Sequence, residues 1–332
     1  MAKRLINPVA RRIEVEEFEL PSLAEDEILI QNELTAVSVG TEIYGWLHGA
    51  EPSRTPEYPR KTGYCSTGVV VEIGAGVTDV KIGDRVAAQC SHASHSIASK
   101  HYLSVPDGVA AEDAVFLVMA AIALHGVRKG RIELGESVAV IGLGIVGQLA
   151  LSLSRLAGAM PAIAIDLNEE RLERAGRRGA DIKITPSRVD DVVAAIKSET
   201  AANGADAVIE ATGKPAVYPM AVSIARTAGR VVALGSPRGT VEMDFLKDVH
   251  LREVDLIGAI QPITPDEDNI YYPWTKRRDR QMLLQLMARG RLSVSDLITH
   301  REKPEDCQRV YEMLADRPEE ALGVVFEWGS TV

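Results

Sequence analysis

The stretch that most constrains this chain is Ser137–Asp166, SVAVIGLGIVGQLALSLSRLAGAMPAIAID. A short apolar run, Val138–Ile141, stops at Gly142 and opens Gly142-Leu143-Gly144-Ile145-Val146-Gly147, which fits G-x-G-x-x-G. A helical run, Gln148–Leu156, follows, and a second apolar run, Ala162–Ile165, ends at Asp166. The three glycines have separate uses: a tight turn, room for backbone to approach a pyrophosphate, and close packing of helix on strand. The free N–H groups and dipole of the helix start favour the anion. An acid 24 positions after Gly142 (166 − 142) completes the strand–turn–helix–strand–acid context that gives the motif its meaning. Asp166 can accept from both ribose hydroxyls and would repel a 2′-phosphate, so NAD is expected over NADP. The plain alternative is a Gly-rich turn with Asp166 as a helix cap. Arg171 and Arg174 lie just downstream, where they read as a solvated helix face.

The chain has 332 residues, 46% hydrophobic and 25% charged, which is ordinary globular composition and enough length for two cores. Net charge is −10 and no basic block stands out, so no nucleic-acid partner is expected. The charge-free run Ser137–Ser154 holds three glycines and reads as strand–turn–helix, so no membrane span is expected. The first twenty residues carry no apolar signal core, and the three cysteines, Cys65, Cys90 and Cys307, suit a reducing cytoplasm better than a disulfide framework.

Residues 1 to about 112 read as β-rich, with alternation in Arg12–Glu16 and Ile28–Ile30 and a glycine-bounded strand at Gly68–Gly74. Residues 113–126 are Ala-rich and helical in pattern. From Ser137, strands (Ala207–Glu210, Arg230–Leu234, Val254–Ile257) alternate with helices (Glu169–Arg178, Asp190–Ala202, Pro215–Thr227), the rhythm of a doubly wound parallel sheet. Pro262–Arg280 reads as a polar, aromatic loop. Helices at Gln281–Arg289 and Cys307–Ala315 and a strand at Gly323–Trp328 finish the chain.

Gly142–Gly147, Ala205-Asp206-Ala207-Val208-Ile209-Glu210-Ala211-Thr212-Gly213, Gly229–Gly235 and Leu297–Arg301, in that order and spacing, resemble the medium-chain dehydrogenase/reductase superfamily over nearly the whole chain. The resemblance implies an α/β protein: a GroES-like β-rich catalytic domain at 1–112 and 297–332, interrupted by a Rossmann doubly wound domain at 113–296. The nicotinamide would lie in the cleft between them. Gly142, Gly144, Ile145, Val146, Gly147, Asp166, Thr212 and Gly235 are the implied cofactor contacts. Edge-to-edge pairing of such sheets in relatives implies a homodimer or homotetramer, with Val254–Ile260 as the pairing edge.

Many members of that superfamily hold a catalytic zinc. Aligning Gly40-Thr41-Glu42 puts Val39 at the zinc cysteine; Gly63-Tyr64-Cys65 puts Tyr64 at the histidine; the third ligand falls near Val118. Valine cannot bind a metal and tyrosine rarely does, so no metal is expected. Cys65, Cys90, His92 and His95 are donor types zinc accepts, but their spacing matches no standard site. Cys90 and His92 would share one face of a strand and His95 the other; the alternative is a loop and strand of ordinary polar residues.

Thr41–His48 resembles the corresponding segment of polyol dehydrogenases, and together with Gly63-Tyr64 also the bacteriochlorophyllide hydroxyethyl dehydrogenase branch. Both imply secondary-alcohol oxidation or its reverse. Without zinc, the alkoxide-like oxygen needs hydrogen-bond donors and a base. Tyr64 can donate to the substrate oxygen, or accept a proton if its pKa is lowered. Thr41 bridges substrate and relay, and Tyr44 and His48 pass the proton outward. Each has a plainer use: a half-buried tyrosine, a turn hydroxyl, an exposed histidine. Glu42 is expected to orient backbone or an arginine, and Cys65 to pack. Asn269–Arg277 concentrates three of the eleven Tyr and Trp residues, and could cap a substrate, meet a second subunit or simply pack. A zinc-free quinone or enoyl reductase and a non-catalytic NAD(H)-binding protein are the competing readings.

Overall fold

The computed structural model describes residues 1–50, 55–201 and 203–329. They form two compact units, one of Met1–Met119 with Lys276–Val332 and one of Ala120–Thr275. The strands, in chain order, are β1 (Ala2–Asn7), β2 (Glu14–Phe18), β3 (Ile28–Ala36), β4 (Arg60–Lys61), β5 (Ser66–Ile73), β6 (Arg85–Ala88), β7 (His95–Ala98), β8 (Tyr102–Ser104), β9 (Val138–Ile141), β10 (Ala162–Ile165), β11 (Ile182–Ile184), β12 (Ala205–Glu210), β13 (Ala225–Ala233), β14 (Asp255–Gly258), β15 (Ile298–Glu302) and β16 (Gly323–Glu327).

In the first unit, β2-β1-β4 form a small sheet, and β15-β16-β3-β5-β6-β8 a larger one, with β7 also on β3. The pattern of β3 explains its central place. Ile28, Ile30, Leu34 and Ala36 are buried, while Leu29, Gln31 and Glu33 are less so, the period of two that turns one strand face to a core. The last strand, β16, pairs antiparallel with β3 through Val325 and Ala36, so the sheet is completed by chain that returns after the second unit.

One element of this unit is not visible in the β-rich reading. Val39–His48 is a helix, α1, entered straight from β3. Its polar stretch SVGTE lacks a helical apolar repeat at its start. What fixes it is tertiary: Ile43 and Trp46 pack into a core with Val310, Tyr311 and Leu314 of the helix Cys307–Asp316. It ends at Gly49, whose φ of 80° only glycine adopts cheaply and whose N–H returns to the Gly45 carbonyl.

The second unit is a wholly parallel sheet in the order β11-β10-β9-β12-β13-β14. Numbered within the unit this is 3-2-1-4-5-6, the doubly wound Rossmann order, whose switch point lies between β9 and β12. Val138–Ile141 and Ala162–Ile165 are buried on both faces, which is why they read as unbroken apolar runs. The expected helix Pro215–Thr227 is shorter: Tyr218–Ile224 is helical and β13 already begins at Ala225. The expected Asp190–Ala202 helix spans Val192–Glu199, capped by Asp191, and Ala202 lies outside the described residues. β14 is a sheet edge, as its sequence suggested, with Leu256 exposed on it. Among the described residues no helix is long and apolar enough to cross a membrane.

Candidate active site

The dinucleotide elements converge on the carboxyl ends of β9, β10, β12 and β13. Gly142 sits at φ 87°, and a Cβ there would fall 2.5 Å from the Thr212 methyl. A Cβ on Gly147 would lie 1.9 Å from the Gly142 carbonyl oxygen, so the helix Ile145–Ala157 can lie this close to β9 only through glycine. Gly144 differs: a Cβ there meets nothing within 4 Å, and no side chain caps the helix it begins. Open space and uncapped N–H groups at Ile145 and Val146 fit a pyrophosphate. Asp166 stands beside this turn. Its Oδ2 accepts the Leu143 N–H at 2.6 Å and its Oδ1 the Asn168 N–H at 2.8 Å, which leaves lone pairs on both oxygens for ribose hydroxyls. The following helix is capped by Asn168, whose side chain accepts from the Arg171 N–H, so Asp166 is not its cap.

Thr212 and Gly235 close the switch point from the other side. Thr212 donates its N–H and hydroxyl to Glu210, a fully buried carboxylate whose pKa burial raises against those donors and the Gly213 N–H. A Cβ on Gly235 would lie 2.3 Å from the Gly213 nitrogen. In the aromatic loop, Trp274 lies under the Arg128 guanidinium, 3.4 Å from ring centroid to Cζ, while Tyr271 is exposed.

The candidate catalytic residues lie in the first unit. Thr41, Tyr44 and His48 occupy one face of α1 at helical spacing, opposite its buried face of Glu42, Ile43 and Trp46. The Tyr44 and His48 rings are 4.5 Å apart, tilted by 43°. Tyr64 comes from the segment between β4 and β5. Its hydroxyl donates to Ser38 Oγ in a very short bond, and it also interacts with the Thr41 hydroxyl. Burial, then the nearby Cys65 and Glu42, push the Tyr64 phenol well above its ordinary pKa. That corrects one of the two roles open to it: Tyr64 is a hydrogen-bonding hydroxyl, not a base with a lowered pKa.

Beneath these residues is a cluster that sequence reasoning missed. Glu42 is buried, and its carboxylate takes four donors: the Ser38 N–H on Oε1 at 2.6 Å, and Thr62 at 3.0 Å, Tyr311 at 2.5 Å and His92 Nε2 at 2.9 Å on Oε2. His92 is also fully buried, with Nδ1 2.7 Å from Thr35 Oγ1, and Trp328 Nε1 donates to the same Thr35 oxygen. Glu42 therefore does orient backbone, as expected, but its other partners are two hydroxyls and an imidazole, not an arginine. His92 is not an ordinary loop residue either: only His95–Ala98 of its segment is strand, and its ring fills the space that a side chain on Gly63 would occupy. Nothing local marks Tyr311 as the partner of a residue 269 positions away.

The positions aligned with the family's zinc ligands are Val39, Tyr64 and Val118. Val39 packs with the Trp46 core, Val118 is buried in the helix Leu117–Lys129, and the Tyr64 hydroxyl is engaged by Ser38. Among the described residues no group of three or more His, Cys, Asp or Glu could hold a metal ion. Cys65 is fully buried and burial pushes its thiol far up; burial raises the Cys90 thiol too and lowers the His95 imidazole.

Comparison with known proteins gives the family. Residues 24–125 match the model of the alcohol dehydrogenase GroES-like domain, and residues 146–269 that of the zinc-binding dehydrogenases. The chain is 32% identical to an L-threonine 3-dehydrogenase of Caldanaerobacter subterraneus, over 72% of this chain and 77% of that protein. The chain belongs to the medium-chain dehydrogenase/reductase superfamily. Sorbitol dehydrogenase 1 of Saccharomyces cerevisiae is 25% identical over 90% of each chain. The 2R,3R-butanediol dehydrogenase of Bacillus subtilis shares the fold, with a TM-score of 0.84 and 24% identity over 98% of this chain and 99% of that one. The protein is thus an alcohol dehydrogenase/reductase with a GroES-like domain and a Rossmann domain.

The Glu42 cluster has a consequence for stability. Burial opposes its ionisation, but His92, Tyr311 and the Ser38 N–H outweigh that and hold its pKa below the ordinary 4.5. A depressed carboxylate stabilises the fold fully above the unfolded value and loses that contribution as pH falls through the folded one. Glu42→Gln should cost about 1–3 kcal/mol at neutral pH by mispairing buried donors. The gap in denaturation midpoint between wild type and variant should narrow below pH 4.5. Urea titrations at neutral and acidic pH check this; a gap that stays constant would contradict it.

Proposed function

We propose that this dehydrogenase uses NAD(H) to oxidise a secondary alcohol of the sugar, cyclitol or polyol class, or to reduce the matching ketone, without a catalytic zinc. The observation that carries the reading is the set of hydroxyls of Ser38, Thr41 and Tyr64 gathered where the aligned family residues would ligate zinc. The relatives named for sorbitol, threonine and butanediol support the substrate class. Gly142–Gly147, Asp166, Thr212 and Gly235 would hold the dinucleotide, which when bound supplies the hydride acceptor or donor.

The residues of the first unit then manage the oxygen and its proton. Tyr64 and Thr41 hydrogen-bond the alcohol oxygen and stabilise the negative charge that grows on it. Thr41 passes the proton along its own face of α1 toward Tyr44 and His48. Glu42 is not placed in this relay: it is buried, and four donors hold it in its charged form.

NAD(H) should bind more tightly than NADP(H), because Asp166 would repel a 2′-phosphate. Asp166→Ala should narrow that difference, as measured by fluorescence titration with both cofactors. A wild-type preference for NADPH would sink this assignment.

Tyr64→Phe and Thr41→Val each remove one hydroxyl and keep the shape. Each should lower kcat by about 10²–10⁴-fold with NAD binding unchanged. Activity should survive chelation, with substoichiometric zinc in the same sample. Near-normal turnover of Tyr64→Phe, or activity that tracks bound zinc, would require a different route for the proton.

We also propose that two copies pair through β14. It is a sheet edge bearing exposed Leu256, followed by exposed Ile260, and such edges invite pairing. Dilute solution scattering should show a dimer or a dimer of dimers; a monomer would rule this out.

A further inference from the structure

Ser38 has a hydroxyl that its position does not explain. It stands at the N-cap of α1, where serine usually bonds the exposed N–H groups of the first turn, yet its side chain makes no cap bond. The Ser38 backbone is held instead by Glu42, and the side-chain oxygen receives the Tyr64 hydroxyl. Among the described residues, the Ser38 hydroxyl makes no cap bond to spend its own hydrogen on. Ser38 is also placed rigidly, since Glu42 is itself clamped by Thr62, His92 and Tyr311, from three other segments of the same unit.

We propose that Ser38 is the positioning residue for Tyr64: it accepts the phenol hydrogen at rest and returns a hydrogen to the phenol oxygen when Tyr64 turns its own onto the alcohol oxygen. This rests on the reading of Tyr64 as a donor to that oxygen. Two hydroxyls at hydrogen-bond distance can exchange donor and acceptor by rotating, with no bond made or broken between heavy atoms. In the second arrangement the chain runs from Ser38 to Tyr64 to the oxygen that gathers charge. Donation into the phenol oxygen polarises its O–H and strengthens the bond that matters. A phenol whose pKa is raised by burial keeps its proton and so remains able to donate. The buried Glu42 cluster then acts at a distance, by fixing the Ser38 backbone against which the phenol is aligned. This links Tyr311, on the helix Cys307–Asp316, to Tyr64 through Glu42 and Ser38.

The test is a double-mutant cycle in the full-length protein, with NAD and a panel of sorbitol, xylitol, inositol, L-threonine and 2,3-butanediol. Ser38→Ala should lower kcat by about 10–10²-fold, the worth of one hydrogen bond to a charge-bearing group, with KM and thermal midpoint little changed. Ser38→Thr, which restores a hydroxyl, should recover most of the loss. In a Tyr64→Phe background Ser38→Ala should cost nothing further, because no phenol remains to be aligned. Wild-type turnover by Ser38→Ala, or the same loss in both backgrounds, would overturn the Ser38 role and leave the Tyr64 assignment standing. Undiminished turnover by Tyr64→Phe, or no turnover of any panel member by wild type, would overturn both together.

Discussion

The first unit is organised around one buried carboxylate. A charge taken out of water is tolerated only where it is paired and hydrogen-bonded, because in apolar surroundings it otherwise costs several kcal/mol or gives up its ionisation. Glu42 meets that condition with four donors from four segments: the start of α1, the loop before β5, the His92 loop and the helix Cys307–Asp316. Each donor must arrive at its distance together with the others. The carboxylate therefore acts as a register mark that the surrounding apolar core cannot supply, since apolar contacts are non-directional. It also explains why the chain after the second unit belongs with the first. Tyr311 and Trp328 supply the cluster with hydrogen bonds, as β16 supplies the sheet with a strand.

The second unit obeys a different constraint, which is space. Its glycines are required where another atom already stands: the Thr212 methyl at Gly142, the Gly142 carbonyl at Gly147, the Gly213 nitrogen at Gly235. Gly144 alone of these faces open room, as backbone must where a pyrophosphate approaches. Close approach builds the switch point and leaves one gap in it. Asp166 then sets a carboxylate beside the turn, held in place by the Leu143 and Asn168 N–H groups.

In the reaction we propose, hydroxyls do the work of a metal ion. A metal stabilises an alkoxide by fixed charge, whereas hydroxyls must do so by aimed dipoles, which work only if they do not have to reorganise during the reaction. Val39 and Val118 are packed, and Tyr64 brings its hydroxyl within reach of Ser38 and Thr41. Burial and the Glu42 charge keep the Tyr64 phenol protonated, so the same anion that ties the unit together also favours a donor at this place.

By itself the sequence determined what is local or periodic. The parallel sheet was legible because strands buried on both faces must be short apolar runs separated by helices. The dinucleotide turn was legible because backbone geometry forces glycine at fixed spacing, and Asp166 because the end of the second strand lies a constant distance along the chain. Thr41, Tyr44 and His48 could be named, but not placed on one helix face, since α1 owes its form to packing against Tyr311 and Val310 rather than to a repeat of its own. Tertiary structure alone decided the Glu42 cluster. Its members, Thr35, Ser38, Thr62, His92, Tyr311 and Trp328, are separated by as many as 293 positions, and a hydrogen bond across such a distance leaves no pattern in either neighbourhood. Whether a serine caps a helix or holds a tyrosine, and whether a histidine is a loop residue or the buried partner of a carboxylate, depends on what the fold brings within 3 Å, and no spacing along the chain encodes that.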